Sequence, residues 1–251
     1  MKSLLQYSVL VLFVSALLQA CSPVMYSNVG QNVPLFKEKG EVFLQGGISG
    51  SDGEESVSGG GFQFAYAISD HWQSNVSFYS LGDKTTSDPD EWRGSGSYLE
   101  IGGGYYGASL NKKWVYELSG GLGFSGIKNK VGGVKQDHTD VSHFKPYIQP
   151  SIGLSLKNFE LAFTPRIAYN TFLKTNYEIS EPSFLNEVQD FLAKRSDFLI
   201  LEPGFTLRGG FENIKFQTQL VLASFGQENS QFINDVFFSL GLAFLIPSQK
   251  D

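Results

Sequence analysis

The connections constrain this chain more than the segments they join. From about residue 40 onward the sequence falls into ten stretches of alternating polarity, approximately 40–50, 58–69, 72–82, 96–110, 114–127, 144–156, 159–173, 198–212, 214–226 and 236–246. A period of two marks strands. Between them long and short connections take strict turns. "SDGEESVS" is followed by a tight turn at Asp70 and His71, and "GDKTTSDPDEWRGSG" by "NKK". Then come "KNKVGGVKQDHTDVSH", a turn at Lys157 and Asn158, the long Lys174 to Asp197 loop, a turn at Glu212 and Asn213, and "GQENSQFIND". A sandwich has no reason to keep this order. A barrel crossing an outer membrane does, with short turns on the periplasmic side and longer loops outside. The expected fold is all-β: an antiparallel up-and-down barrel of about ten strands, transmembrane. An even strand count puts both ends of the barrel on the short-turn side.

Register supports closure in lipid. In 159–173, Phe159, Leu161, Phe163, Ile167 and Tyr169 share one face, while Glu160, Ala162, Thr164, Arg166 and Asn170 share the other. In 198–212, Leu199, Leu201, Phe205 and Leu207 oppose Glu202, Thr206 and Arg208. A slip of one residue would carry a charge to the apolar side, so register is strongly specified. Strands of this length suit the ~9–11 residues that a tilted strand needs to cross the hydrocarbon. Trp72 and Trp114 each open a strand after a short turn in the outward register, where a periplasmic aromatic girdle belongs. Alternation alone does not say which face is outside. A lipid-tethered soluble barrel, with the apolar register turned inward, is the rival architecture. Pro146, Pro150, Pro165 and Pro203 fall inside expected strands and cannot donate to a ladder, so bulges or misplaced boundaries are expected there.

The inward set holds Glu100, Glu117, Glu160, Arg166, Glu202 and Arg208, joined by Glu212 and Lys215. Buried charges must pair, so a salt-bridge network filling the lumen is the expected arrangement. A gated pore is the alternative. The net charge of −6 offers no basic footprint for nucleic acid.

Catalytic and metal motifs are weak. His138-x-Asp140-x-x-His143, beside Asp137, offers ligand types in an expected external loop but matches no familiar metal spacing. Asp–His chemistry on outer loops is similar to that of the omptin proteases, themselves ten-stranded barrels. Asp83, Asp88 or Asp90 would then face His138, yet no omptin motif is visible. Gly102-x-Gly104-x-x-Gly107 lacks the following helix that a dinucleotide fingerprint requires, and reads as lumen space. No cofactor is expected. In "EPSFLNEVQDFLAKRS", Pro182 suits a first helical turn, and Phe184, Leu185, Val188, Phe191 and Leu192 share a face. A short helix near 182–194 is expected to cap the barrel mouth.

The amino terminus is a short apolar run from Leu4 to Leu18 ending in "LLQACSP". That is a secretory signal rather than a spanning helix. Leu18-Gln19-Ala20-Cys21 resembles the lipobox of bacterial lipoproteins, which implies cleavage before Cys21 and a diacylglycerol on its thiol. Ser22, in place of aspartate, resembles an outer-membrane sorting signal. Together with "NVPLFKEKGEVFLQGGISG", "FQFAYAISDHW" and "EPGFTLRGGFENIKFQ", these features resemble small outer-membrane β-barrel lipoproteins of the Bacteroidetes type. The resemblance implies a scaffold and offers no catalytic residue.

The expected organisation is a signal peptide over 1–20, a periplasmic linker over 21–38 carrying lipid on Cys21, a barrel over 39–247 and a tail over 248–251. The acyl chains are expected in the inner leaflet of the outer membrane, with the amino terminus on the periplasmic side. The expected function is non-enzymatic: a structural, adhesive or ligand-binding role through acidic external loops (Asp52, Glu54, Glu55, Asp88, Asp90, Glu91). Outer-membrane lipid and an external protein or glycan are the expected partners. A small-solute pore and an outer-membrane hydrolase are the alternatives.

Overall fold

The computed structural model describes residues 23–52, 57–83, 92–131, 137–225 and 232–248. A two-residue strand, β1 (Tyr26–Ser27), precedes the wall, which begins with β2 (Val42–Asp52), β3 (Val57–Ala67) and β4 (Trp72–Asp83). The long strands β5 (Trp92–Ala108), β6 (Trp114–Val131), β7 (His138–Ser155) and β8 (Phe159–Glu178) follow. Helix α1 (Pro182–Lys194) leads to β9 (Asp197–Gly210), β10 (Ile214–Leu222), the short β11 (Ile233–Asn234) and β12 (Val236–Ile246). Ten of the strands close one antiparallel barrel, in sequence order from β2 to β10 and then to β12, which pairs back with β2. The expected fold class is what forms, including the helix.

The short turns are fixed by their own side chains. Ser69 Oγ accepts from the Trp72 amide at 3.1 Å, and Asn111 Oδ1 accepts from the Lys113 amide at 3.1 Å. Asn158 Nδ2 donates to the Gly210 carbonyl at 2.8 Å. Serine and asparagine serve this purpose because a short polar side chain can replace a backbone turn partner.

Four neighbouring strands are taller than the sequence suggests. β5 to β8 have 17 to 20 residues, against 11 or 12 for β2 to β4. Against the expected bounds, the added residues lie at the end carrying the long connections, at 92–95, 128–131, 138–143 and 174–178. There "GIKNKV" and "LKTNYE" put polar residues on both faces, so the alternation that betrays a strand lower down fades. The expected external cluster at Asp137, His138, Asp140 and His143 is thereby corrected: His138, Asp140 and His143 are wall residues of β7.

The prolines sit in the outward register at an interrupted seam. Paired positions between β7 and β8 stop at Ile148↔Ile167 and resume at Ile152↔Phe163, a gap centred on Pro150 and Pro165. Pro165 in turn lies opposite Pro203 on β9. A second irregularity falls between Ser142 and His143. A proline has no N–H to give the ladder. Across the larger gap a side chain takes over: Arg166 Nε and Nη2 on β8 donate to Gln149 Oε1 on β7 at 2.9 and 2.7 Å.

The segment before β2 overturns an expectation. Residues 24–36 are not a linker below the barrel but run through its bore. Val24, Met25, Tyr26, Val29, Val33, Leu35 and Phe36 are buried, as are Asn28, Gln31 and Asn32. The segment starts among the long connections, where β1 pairs in parallel with β11. It ends at the short turns, where Gly40, at φ +84°, donates its N–H to the Ala67 carbonyl at 2.9 Å and the chain reverses into β2. The amino-terminal end of the described chain therefore lies on the long-connection side, opposite to the side expected. A mixture of apolar and amide residues without period is what a strip buried on every side requires.

Candidate functional site

Among the described residues the bore and its long-connection mouth are where the fold gathers chemistry, and the inward register builds both. Small residues make the room. A Cβ at Gly204 would meet the Gln31 side chain, one at Gly153 would meet Leu35 Cδ2 at 2.5 Å, and one at Gly61 would meet the Tyr79 ring. Gly102 and Gly121 leave space for the Tyr147 hydroxyl, at 2.8 and 2.6 Å from where a Cβ would stand.

In this room residues 24–36 find partners for a backbone that, below β1, has no strand beside it. Asn129 Nδ2 donates to the Val24 carbonyl at 2.8 Å, and the Ser27 amide donates to Tyr98 Oη at 3.1 Å. The Gln31 amide donates to Gln219 Oε1 at 2.7 Å, and Gln219 Nε2 returns a bond to the Gln31 carbonyl at 2.9 Å. Gln149 Nε2 donates to the Asn32 carbonyl at 2.8 Å and Arg208 to that of Val33. The Leu35 amide donates to Glu117 Oε1 at 2.9 Å. Wall side chains thus do for this segment what a neighbouring strand does in a sheet.

The charges form two groups. In the first, Glu100 lies 3.0 Å from Arg166 and 3.2 Å from Lys145, while Glu202 lies 3.4 Å from Lys145 and 3.5 Å from Arg166. Tyr26 Oη donates to Glu202 Oε1 at 2.8 Å, so the segment is bonded to this group directly. In the second, Glu160 pairs with Arg208 at 2.9 Å and with Lys215 at 3.2 Å. The Arg166 and Arg208 guanidinium carbons lie 4.3 and 4.6 Å from the centroids of Tyr147 and Phe43. Glu100, Glu160 and Glu202 thus pair with Lys145, Arg166, Arg208 and Lys215, all buried.

Sequence reasoning missed Lys145, although its alternation with Phe144 and Pro146 carried the signal. Glu212 is corrected: it lies in the turn before β10, exposed, and pairs with Lys157 at 3.2 Å. Glu117 is inside, but its bonded partner is the Leu35 amide rather than a cation.

At the mouth the filling changes character. Val188 and Phe191 of α1 are buried, with Phe184, Leu185 and Leu192 packed around them. Phe191 meets Phe232 at 5.1 Å and Phe172 at 6.2 Å between centroids, and Phe184 meets Trp92 at 5.9 Å. Asp137 anchors the approach to the helix, its Oδ1 accepting from the amide and hydroxyl of Ser180 at 2.9 and 2.6 Å. His143 is buried against Phe172, 4.5 Å between ring centroids, and shares a 3.2 Å hydrogen bond with Asn170. Among the described residues no three His, Cys, Asp or Glu side chains gather as metal ligands. The cavity beside Val24, Ser27 and Tyr98 measures about 20 Å³, room for a water molecule and little else.

The outside of the wall is the reverse of a soluble surface. Every one of its strands exposes large apolar side chains, from Ile48 on β2 through Leu118, Ile148, Phe163 and Leu201 to Leu240 on β12. Trp72 and Trp114 are 59% and 45% exposed at the short-turn end, and the Trp72 ring stands edge-on to Tyr105. Cys21, Asp88, Asp90, Glu54, Glu55 and Glu91 lie outside the described residues, as do the side chains of Asp52 and Asp83.

No protein-family model matches this chain, and no curated protein sequence matches it. Among solved structures it is similar to the outer membrane protein OprG from Pseudomonas aeruginosa, at 13% identity and a TM-score of 0.40, covering 85% of this chain and 99% of that one. It is also similar to a bacterial polysaccharide outer membrane secretin, at 8% identity and a TM-score of 0.25, covering 84% and 100%. Function has therefore to be read from the chain's own geometry.

Proposed function

We propose that this chain is a non-enzymatic outer-membrane β-barrel lipoprotein. Its bore is stoppered by its own amino-terminal segment, and it acts through its long-connection face as a structural or adhesive element that binds an external protein or glycan. The observation that carries the membrane assignment is the continuous belt of exposed apolar side chains on all ten wall strands, with the two tryptophans at its short-turn rim. Soluble monomers rarely expose more than a few hundred Å² of contiguous apolar surface. In lipid a closed barrel leaves no wall-strand edge unpaired. The rival soluble barrel needs a polar exterior, and across the apolar belt the inward register is the one that carries the charges.

The filled bore favours a silent barrel over a small-solute pore, because buried ion pairs and a bonded peptide stand where solute would pass. Binding is assigned to the opposite face from the short turns, which are too brief to form a surface of their own. By sequence the long connections carry Glu54, Glu55, Asp88, Asp90 and Glu91, an acidic set on the side of the barrel that α1 caps. Acylation of Cys21 adds an anchor, each buried CH₂ contributing about 0.8 kcal/mol.

Alkaline carbonate extraction of a Cys21→Ala variant tests the membrane assignment. The variant is expected to stay in the membrane pellet. Release as a detergent-free monomer would overturn the spanning reading and leave the lipid as the sole tether. In planar bilayers the purified full chain is expected to show no unitary conductance.

A further inference from the structure

We propose that the amino-terminal segment carries the chain across the membrane inside its own barrel, so that Cys21 and Ser22 emerge on the outer surface beside the long loops. The inference rests on the spanning reading above and on the path of residues 24–36.

Both ends of that path are fixed by contacts. At the lower end three short turns hold it: Gly40 donates to the Ala67 carbonyl, Glu38 pairs with Lys112, and Lys37 Nζ donates to the Ser155 carbonyl at 3.1 Å. At the upper end the Met25 and Tyr26 amides donate to the Phe232 carbonyl at 2.8 and 3.2 Å, within the connection from β10 to β12. Thirteen residues at ~3.3–3.6 Å each reach roughly 43–47 Å when extended, enough for a hydrocarbon layer of ~30 Å. Cys21 stands two residues before Pro23 and so reaches only about 7 Å from it. The inner leaflet is therefore out of its range. Acyl chains on Cys21 enter the outer leaflet, next to the mouth that α1 caps. The barrel and its lipid anchor then share one leaflet, and the short turns are left as the periplasmic face.

The test places one epitope at a time in the full chain, expressed in a Gram-negative host: between Ser22 and Pro23, between Asp88 and Pro89, or between Asn111 and Lys112. Antibody binding is compared on intact and permeabilised cells. The first two epitopes are expected to be read on intact cells and the third only after permeabilisation. If the Ser22 epitope behaves like the Asn111 epitope while the Asp88 epitope is read outside, the threading is wrong and the spanning barrel stands. If all three behave alike, the spanning reading fails first and takes the proposal with it. If the Ser22 and Asp88 epitopes are both hidden while the Asn111 epitope is read outside, the outer-surface assignment is overturned. An inserted epitope can disturb folding. A Cys21→Ala, Ser22→Cys variant labelled with a membrane-impermeant maleimide gives a second readout. Labelling of intact cells supports the proposal, and labelling confined to lysed cells overturns it.

Discussion

The middle of the bore and its long-connection mouth enclose the same peptide in different materials. Around Gln31 and Val33 the wall supplies glutamine, arginine and glutamate; around Tyr26 it supplies phenylalanine, valine and isoleucine as well. The difference follows from where the peptide's own N–H and C=O groups go. At the mouth Tyr26 and Ser27 pair with β11, a strand, so much of the surrounding side-chain surface is free to be apolar. Lower down the segment has no strand beside it, and each buried backbone group left unbonded would cost about 1–3 kcal/mol. Polar side chains on the wall are the remaining source of partners, and once buried they must balance one another's charge. Polar wall side chains supply the partners where the backbone lacks a sheet, while Val33, Leu35 and Phe36 keep small apolar clusters of their own in the same stretch.

The comparison can be broken most severely by deleting residues 24–36. Seven buried apolar side chains at roughly 1.5–3 kcal/mol each amount to about 10–20 kcal/mol, against a net stability that is typically 5–15 kcal/mol. No folded, heat-modifiable species is expected on unheated electrophoresis. A folded, conducting deletion variant would show that the wall holds without its filling. Arg166→Met removes one partner from the upper charge group and the bond across the proline gap. A loss of 3–5 kcal/mol is expected, as for other broken buried pairs, read as a global shift in urea unfolding in detergent. Phe191→Ala, in the mouth, is expected to cost about 3 kcal/mol. Its signature should be earlier proteolysis in the 179–196 connection with the barrel intact. Equal and equally global effects of these two variants would dissolve the distinction between bore and mouth.

A gentler probe lies at the lower exit. Burial pushes the Glu41 carboxyl above its ordinary value of 4.5, opposed by the amides of Lys37 and Glu38 that it accepts. A raised carboxyl pKa adds stability below about 4.5 that is lost as pH rises through the folded value. The melting-temperature difference between wild type and Glu41→Gln should therefore move in favour of wild type on acidification. Lys157→Ala, which breaks an exposed pair with Glu212, is expected to stay within about 0.5 kcal/mol.

Much of this was legible in the sequence. Inside–outside alternation is imposed on any strand between lipid and a charged interior, so the strand count, the registers and the inward placement of Arg166, Glu202 and Arg208 could be read directly. The heights of β5 to β8 could not. Beyond the hydrocarbon nothing forces Lys128, Lys130 or Lys174 to take a particular side. The bore segment was hidden for a related reason: enclosed all round, it has no exposed face and hence no period. One signal was present. No charged residue stands between Cys21 and Lys37, an unusual run for a linker in water. Lys145 was visible in its alternation but lay beside two prolines that argued against a strand.

The seam between β2 and β12 joins the first wall strand to the last along eleven paired positions, from Val42↔Ile246 to Asp52↔Val236. Until β12 pairs with β2 the cylinder is an open trough, and residues 24–36 can be laid into it sideways. After closure the same peptide would have to be fed endwise past ion-paired side chains. Filling the bore is therefore geometrically simplest before the β2–β12 seam is sealed.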